Sequence, residues 1–264
     1  MRVTNDDVRI DVRVDGDSGD AVVLLSGLAL TREIWNRQAE ILAEKHRVIR
    51  PEFRGTGATN VPEGPYLMES LAGDVAAVLD ALGIERAAVV GHSLGGYVAI
   101  AFARMYAERV ARLALVCSRI EADSPEMSKI RYELADRVEL EKSSAPVTEW
   151  LCPRMLAPSA YADDSAVALR LREMMNVADP AGLAAMLRGM AVRDAGTDIA
   201  PDLPIPVLVV AGALDQSIPV DEARATASAF PNSRLVVMAG SGHAPMLEEP
   251  ERLGQVLAEF LNGA

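Results

Sequence analysis

A serine flanked by glycines is the part of the sequence best suited to chemistry. Ser93 lies at the centre of Gly91–Gly95 (GHSLG), after the apolar stretch 87–90 and before residues 96–104, whose composition predicts a buried helix. The glycines leave room for a turn so sharp that larger side chains would collide. Such a turn raises the hydroxyl beside a helix amino end, where N–H groups favour a developing oxyanion. The pattern favours acyl transfer at Ser93, although a tight turn with a helix-capping serine could have the same sequence.

A serine hydroxyl is a weak nucleophile and needs a neighbouring base. The sequence offers three histidines. His46 lies between a predicted helix and a predicted strand, and we expect a solvated junction residue there. His92 sits inside the turn, where its ring cannot easily reach the adjacent hydroxyl. His243 follows the apolar run 235–238 in the glycine-containing loop 240–245 and is the predicted base.

The base needs an acid that orients it, and this acid should follow a strand between the serine and the histidine in chain order. Residues 206–212 (PVLVVAG) predict such a strand, and Asp215 comes shortly after it. Asp215 could instead cap the helix expected near Val220, but Asp221 is closer to that helix start. The predicted catalytic residues are therefore Ser93, Asp215 and His243.

Length and composition indicate one globular enzyme. The 264 residues include 50% hydrophobic and 24% charged residues, enough to bury a large core. The net charge of −12 argues against nucleic acids and anionic membranes as partners. Residues 1–7 lack the apolar core of a signal peptide and no apolar run could span a bilayer, so we expect a cytoplasmic protein. Oligomeric state is left open.

The two cysteines, Cys117 and Cys152, are far apart in the sequence. They form neither a disulfide framework nor a metal-ligand spacing. We expect both to be buried apolar fillers.

Strands and helices alternate along the chain, which predicts an α/β fold with a mainly parallel sheet and helices on both faces. Besides the strands already named, the patterns predict strands over 8–14, 21–25, 46–49 and 110–116, and helices over 35–43 and 70–82.

Between residues 119 and 199 the pattern changes to helical segments broken at prolines, without a strand-like run. We expect residues 1–118 and 200–264 to form the core, and residues 119–199 to form an inserted helical cap over the site. Methionine suits an adaptable apolar pocket, although the same residues could fill the cap's own core. Six methionines lie in this segment: Met127, Met155, Met174, Met175, Met186 and Met190.

Over nearly its whole length the sequence resembles the α/β-hydrolase superfamily, and within it the small bacterial esterases and lactonases around 3-oxoadipate enol-lactonase. The serine pentapeptide and Ser241-Gly242-His243 are similar to superfamily-wide motifs. The similarity to the lactonases lies in residues 54–57 (RGTG), 62–66, 80–86 and 122–126. Glu52 departs from the family, which usually has Asp at that position.

The resemblance implies the α/β-hydrolase fold and an oxyanion hole formed by the backbone N–H groups of Leu28 and Leu94. Trp35 is expected to wedge the first helix against the loop before it. Arg54 is expected to pin loops by hydrogen bonds rather than to bind a substrate carboxylate.

The sequence as a whole predicts a serine hydrolase that cleaves a small carboxylic ester or lactone through an acyl-enzyme, without a metal or an organic cofactor. Three alternatives remain open at this point. One is a carbon–carbon bond hydrolase, and another is a cofactor-free perhydrolase or haloperoxidase on the same triad. The third, from a different class, is a ligand-binding receptor that keeps the triad but turns over negligibly.

Overall fold

The computed structural model describes residues 1–162 and 165–263. Its strands are β1 (Arg2–Asn5), β2 (Val8–Asp15), β3 (Ala21–Leu25), β4 (Arg47–Pro51), β5 (Ala87–His92), β6 (Val110–Val116), β7 (Val207–Gly212) and β8 (Ser233–Met238). They form one eight-stranded sheet in the order β1-β2-β4-β3-β5-β6-β7-β8. The pairs β1–β2 and β2–β4 are antiparallel, and every pair from β4 to β8 is parallel. The predicted mainly parallel sheet is confirmed.

The central strands are mostly apolar and buried. Every residue of β5 and β7 is buried, and successive side chains of a strand point to opposite faces, so both faces of the sheet are covered there. Strand β2, near the edge, begins by alternating buried and exposed residues. Because β5, β6 and β7 are parallel neighbours, their carboxyl ends meet at one edge of the sheet, where α/β proteins place their sites.

Helices connect these strands. They are α1 (Asn36–Leu42), α2 (Met68–Ala81), α3 (Leu94–Met105), α4 (Pro125–Glu141), α5 (Ala145–Met155), α6 (Pro158–Ala162), α7 (Ala166–Asn176), α8 (Pro180–Ala191), α9 (Val220–Ser228), α10 (Pro245–Glu248) and α11 (Pro250–Leu261). Helix α2 begins two residues before the predicted start, and the chain leaves it through Gly83, whose φ of +65° suits glycine.

Helices α4 to α8 account for the segment expected to be the cap, and its described residues contain no strand. Helix α8 packs so closely against the core that their backbones are in contact. A Cβ atom at Gly182 would lie 2.6 Å from the Cα atom of Gly55, and one at Gly189 would overlap the carbonyl of Tyr66. Glycine is therefore needed at both positions of the helix. That this segment controls access to the site stays a prediction.

Several sequence expectations about single residues can be checked here. His46 is 5% exposed, so the expectation that it is solvated is wrong. The connection between β2 and β3 covers it, since a Cβ atom at Gly16 would lie 2.3 Å from the His46 carbonyl oxygen. Both cysteines are buried, as predicted. Arg54 pins its loop to α2 through two hydrogen bonds to Asp74, as predicted.

Among the described residues, none of the helices combines the length and the apolar composition that crossing a bilayer requires.

Candidate active site

Ser93 occupies a strained turn between β5 and α3. Its φ and ψ are 51° and −115°, in a region that residues other than glycine rarely adopt. A Cβ atom at Gly91 would lie 2.2 Å from the Gly95 carbonyl oxygen, so the first flanking glycine is required. The Ser93 N–H donates to Val116 and the Ser118 hydroxyl donates to the Ser93 carbonyl. The predicted strand, turn and helix are confirmed, and the fold holds the strain in place.

His243 and Asp215 form a buried pair on the neighbouring loops. His243 Nδ1 lies 2.8 Å from Asp215 Oδ2, and the imidazole is 2% exposed. The other carboxylate oxygen accepts the N–H groups of Ser217 and Ile218 at 2.7 and 3.0 Å. Because the ionised carboxylate only accepts hydrogen bonds, His243 Nδ1 carries the proton and Nε2 is left as a base.

The environment keeps the Asp215 carboxylate charged. Burial by itself would raise the pKa of Asp215. The positive charge of His243 and its hydrogen bond, with the N–H groups of Ile218 and Ser217, outweigh burial and hold this pKa below its ordinary value. The acid is therefore ionised throughout the neutral range, as an orienting carboxylate requires.

The nucleophile and the base are brought together through the residue that precedes Ser93. The ring of His92, the residue before Ser93, has its centroid 5.1 Å from that of His243. Among the described residues, no hydrogen bond joins the Ser93 hydroxyl to His243. Such hydrogen bonds often form only when substrate binds, so the missing bond is compatible with a nucleophile and its base.

The predicted oxyanion donors line a narrow cavity of only about 10 Å³ next to the turn. Within the described chain, neither the Leu28 nor the Leu94 N–H has a hydrogen-bond acceptor. Thr56 is the one lining residue with a polar side chain, and Met186 of α8 also lines the cavity. The lining residues are Gly27, Leu28, Ala29, Gly55, Thr56, Leu94, Ala178, Gly182, Leu183 and Met186.

Glu248 is a site residue that no local sequence pattern predicts. Its carboxylate accepts the Gly242 N–H at 2.8 Å and the Ala157 N–H at 2.7 Å, so it ties the loop before His243 to the segment of α5 and α6. Burial raises the pKa of Glu248, although these N–H groups oppose the rise. Ala157 is distant from Glu248 in the chain, which is why a local pattern does not reveal this link.

Cys117, directly after β6, lies beside the acid and the base. Its Sγ atom, a carboxylate oxygen of Asp215 and a ring nitrogen of His243 lie within 4.8 Å of one another. Burial and the neighbouring Asp215 charge raise the pKa of the Cys117 thiol well above its ordinary value, so the thiol is neutral. A metal bound here would have to replace the proton that Asp215 and His243 share, and the geometry favours the hydrogen-bonded pair.

Comparison with known proteins agrees with this geometry. The family model of the alpha/beta hydrolase fold matches residues 20–250. A relative from Caulobacter segnis, provisionally named carbamate hydrolase RutD, is 30% identical, with 93% of this chain and 92% of the relative covered.

Two solved structures superimpose closely. A thermophilic esterase from Thermogutta terrifontis, solved with malate bound, has a TM-score of 0.95 at 36% identity, with 99% of this chain and 97% of that chain covered. The enol-lactonase from Burkholderia xenovorans has a TM-score of 0.92 at 27% identity, with 99% and 100% covered. The chain belongs to the alpha/beta hydrolase fold family, and the predictions of this fold and of a hydrolytic enzyme are confirmed.

Proposed function

We propose that the protein is a serine hydrolase of carboxylic esters or lactones that works through an acyl-enzyme. The observation that carries the proposal is the buried hydrogen bond between His243 and Asp215, on loops adjacent to the strained turn at Ser93. A half-buried serine in a strained turn, with an imidazole of fixed tautomer on a neighbouring loop, suits nucleophilic catalysis better than helix capping.

In this mechanism the Ser93 hydroxyl attacks the substrate carbonyl while His243 Nε2 takes its proton. The tetrahedral oxyanion is held by the N–H groups of Leu28 and Leu94, which have no other acceptor in the described chain. The imidazolium that forms is stabilised by Asp215. His243 then returns the proton to the leaving alcohol, and water releases the acyl group by the same route.

The narrow apolar cavity favours a neutral substrate with a small group beside the carbonyl. Cleavage of a carbon–carbon bond in a dienoate would require polar groups that bind the dienoate. Thr56 is the one lining residue with a polar side chain, so the cavity favours this reaction less. The names of the related esterase and enol-lactonase support an ester or lactone substrate for this chain. The cap over 119–199 would set the size of that substrate.

Labelling and turnover test the proposal together. A fluorophosphonate should modify the protein at Ser93 alone, and Ser93→Ala should abolish both labelling and hydrolysis of p-nitrophenyl acetate. Ser93→Ala should remain folded, since the hydroxyl contributes little packing. Ser228→Ala is a matched control, because this serine is exposed at the end of α9 and donates only to the Arg224 carbonyl of its own helix. Labelling elsewhere, or turnover of Ser93→Ala within about tenfold of the parent, contradicts the proposal.

The same assay separates the enzyme from a receptor. Multiple turnovers of a short ester show catalysis, whereas one acyl group transferred per chain without release indicates a receptor that retains the triad. Adding hydrogen peroxide as an acyl acceptor then distinguishes a hydrolase from a perhydrolase.

A further inference from the structure

His92, the last residue of β5, is fully buried between the candidate catalytic loops. Its Nε2 lies 2.8 Å from the backbone carbonyl oxygen of His243. Because a carbonyl oxygen only accepts hydrogen bonds, Nε2 must carry the proton and Nδ1 must be bare. Burial, with a smaller contribution from the charge of His243, lowers the pKa of His92 to about 3. The ring is therefore neutral and has one defined tautomer.

The His92 ring is also enclosed on its other sides. Trp35 meets it edge-on, with ring centroids 6.4 Å apart. A Cβ atom at Gly27 would lie 2.7 Å from His92 Nδ1, so the loop that carries Leu28 packs directly on the ring. The ring therefore fills the space between the loop of the proposed oxyanion donor and the loop of the proposed base.

Filling this space does not by itself require a histidine. Nδ1 has no hydrogen-bond partner among the described residues. An apolar side chain would pack there without leaving a buried nitrogen unpaired, which is unfavourable. The feature that an apolar side chain could not supply is the Nε2–H that donates to His243.

We propose that His92 is a positioning residue for the base, an inference that rests on the proposed function. Asp215 orients the imidazole of His243 through Nδ1, but a ring is aimed only if its backbone is fixed as well. The bond from His92 fixes the carbonyl of His243. Since His92 is covalently joined to Ser93, this bond links the main chain of the base to that of the nucleophile.

Two substitutions of similar volume isolate the donor. In His92→Gln the side-chain amide can reach the His243 carbonyl, and in His92→Leu no donor remains. Three quantities are measured for both variants and the parent: kcat and KM for p-nitrophenyl acetate, the midpoint of thermal unfolding, and the far-downfield proton NMR signal of the His243–Asp215 hydrogen bond.

His92→Leu should lower kcat by about 10- to 100-fold with KM within about twofold of the parent, since misplacing a catalytic group slows the chemical step. Its downfield signal should weaken because the imidazole is less constrained. His92→Gln should recover most of kcat and of the signal. Equal losses in the two variants, or a parent-like kcat in His92→Leu, overturn the proposal.

If His92→Leu does not fold, His92→Asn replaces it, because its amide is one methylene too short to reach the carbonyl. A kcat for His92→Asn as high as that for His92→Gln then overturns the proposal. If the parent is neither labelled by the fluorophosphonate nor active, the proposed function has failed. The NMR comparison still decides whether His92 holds His243, since an unchanged signal in the donor-free variant rejects that link.

Discussion

At the scale of single residues, both oxygens of the Asp215 carboxylate have defined partners. Oδ2 receives the proton of His243 Nδ1, and Oδ1 receives the N–H groups of Ser217 and Ile218. An amide at this position would have to turn an NH₂ group toward one of these donors. The substitution would therefore favour the wrong tautomer of His243 without changing the size of the side chain.

We expect Asp215→Asn to lower kcat by about 10³- to 10⁴-fold, because the imidazole loses both its orienting acceptor and the stabilising charge. Circular dichroism should show that the variant is folded. Asp221→Asn is the matched control, since Asp221 is exposed in the first turn of α9 and should leave kcat unchanged. A loss for Asp215→Asn smaller than about tenfold would remove Asp215 from the mechanism.

Glu52 is a second buried carboxylate whose charge matters. Both its oxygens lie 3.1 Å from the backbone nitrogen of Arg32, at the end of the loop that carries Leu28. Burial raises the pKa of Glu52 to about 7, although the Arg32 N–H and guanidinium oppose the rise. The folded protein therefore binds this proton at pH values where the unfolded chain, with a pKa near 4.5, has released it.

The sign of the effect on stability follows from this difference. A carboxyl pKa that is raised in the folded state favours folding at pH values below the pKa of the unfolded state. This contribution is lost as the pH rises through the pKa of the folded state. Between pH 4 and pH 8, the free energy of unfolding of the parent should fall relative to Glu52→Gln by as much as about 3 kcal/mol. Urea unfolding across this range measures the difference. Exposed Glu63→Gln is the control, and parallel pH curves for parent and Glu52→Gln would refute the prediction.

Some single residues could be predicted and others could not, for a physical reason. Strain at Ser93 follows from its two glycines, and the chain order of serine, acid and base singled out Asp215 and His243, which the structure joins by a hydrogen bond. Their catalytic role stays a prediction. Cys117, Glu248 and the burial of His46 depend on contacts between distant segments, which a local pattern does not contain.

At the scale of elements, the strands from β2 to β8 and the first helices were predictable because their apolar spacing is regular, whereas the four-residue β1 was not predicted. The functions of the methionines in 119–199 were not, because helical spacing does not tell which buried face meets the cavity. Met186 of α8 lines the cavity beside Leu28 and Leu94. Met155 of α5 is also buried, at 1% exposure, but it is not a lining residue of that cavity.

Met186→Ala should therefore shift preference toward esters with bulkier acyl groups. A few methylene-sized gaps change discrimination by about 1–3 kcal/mol, which corresponds to roughly 10- to 200-fold in relative kcat/KM. Met155→Ala should lower the free energy of unfolding by about 2–5 kcal/mol with the order of preference unchanged. A graded series of p-nitrophenyl esters measures both. The same preference in Met186→Ala as in the parent would show that α8 does not set substrate size.

At the scale of the whole molecule, the segment 119–199 is joined to the core in two ways. Buried side chains of both parts belong to one continuous apolar cluster. Asp123, near the entry to the segment, pairs with Arg193 near its exit at 2.6 Å and also pairs with Arg131. The guanidinium of Arg193 lies 3.9 Å above the ring of Tyr97 on α3, so the exit is also held against the core. Since the apolar cluster and the Arg193–Tyr97 contact both cross from the segment to the core, the two parts should unfold together.

The two tryptophans of the chain allow this cooperativity to be measured. Trp35 is fully buried in the core, and Trp150 lies in α5. In Trp150→Phe the remaining Trp35 reports on the core. In Trp35→Phe the remaining Trp150 reports on residues 119–199. In each variant, the midpoint of urea unfolding followed by fluorescence should coincide with the midpoint followed by far-ultraviolet circular dichroism, as a single cooperative transition requires. The two midpoints are compared within one variant, so a loss of stability caused by the substitution does not affect the comparison. If Trp150 fluorescence changes at a lower urea concentration than the circular dichroism, then residues 119–199 unfold before the core, and the shared apolar cluster does not couple the two parts.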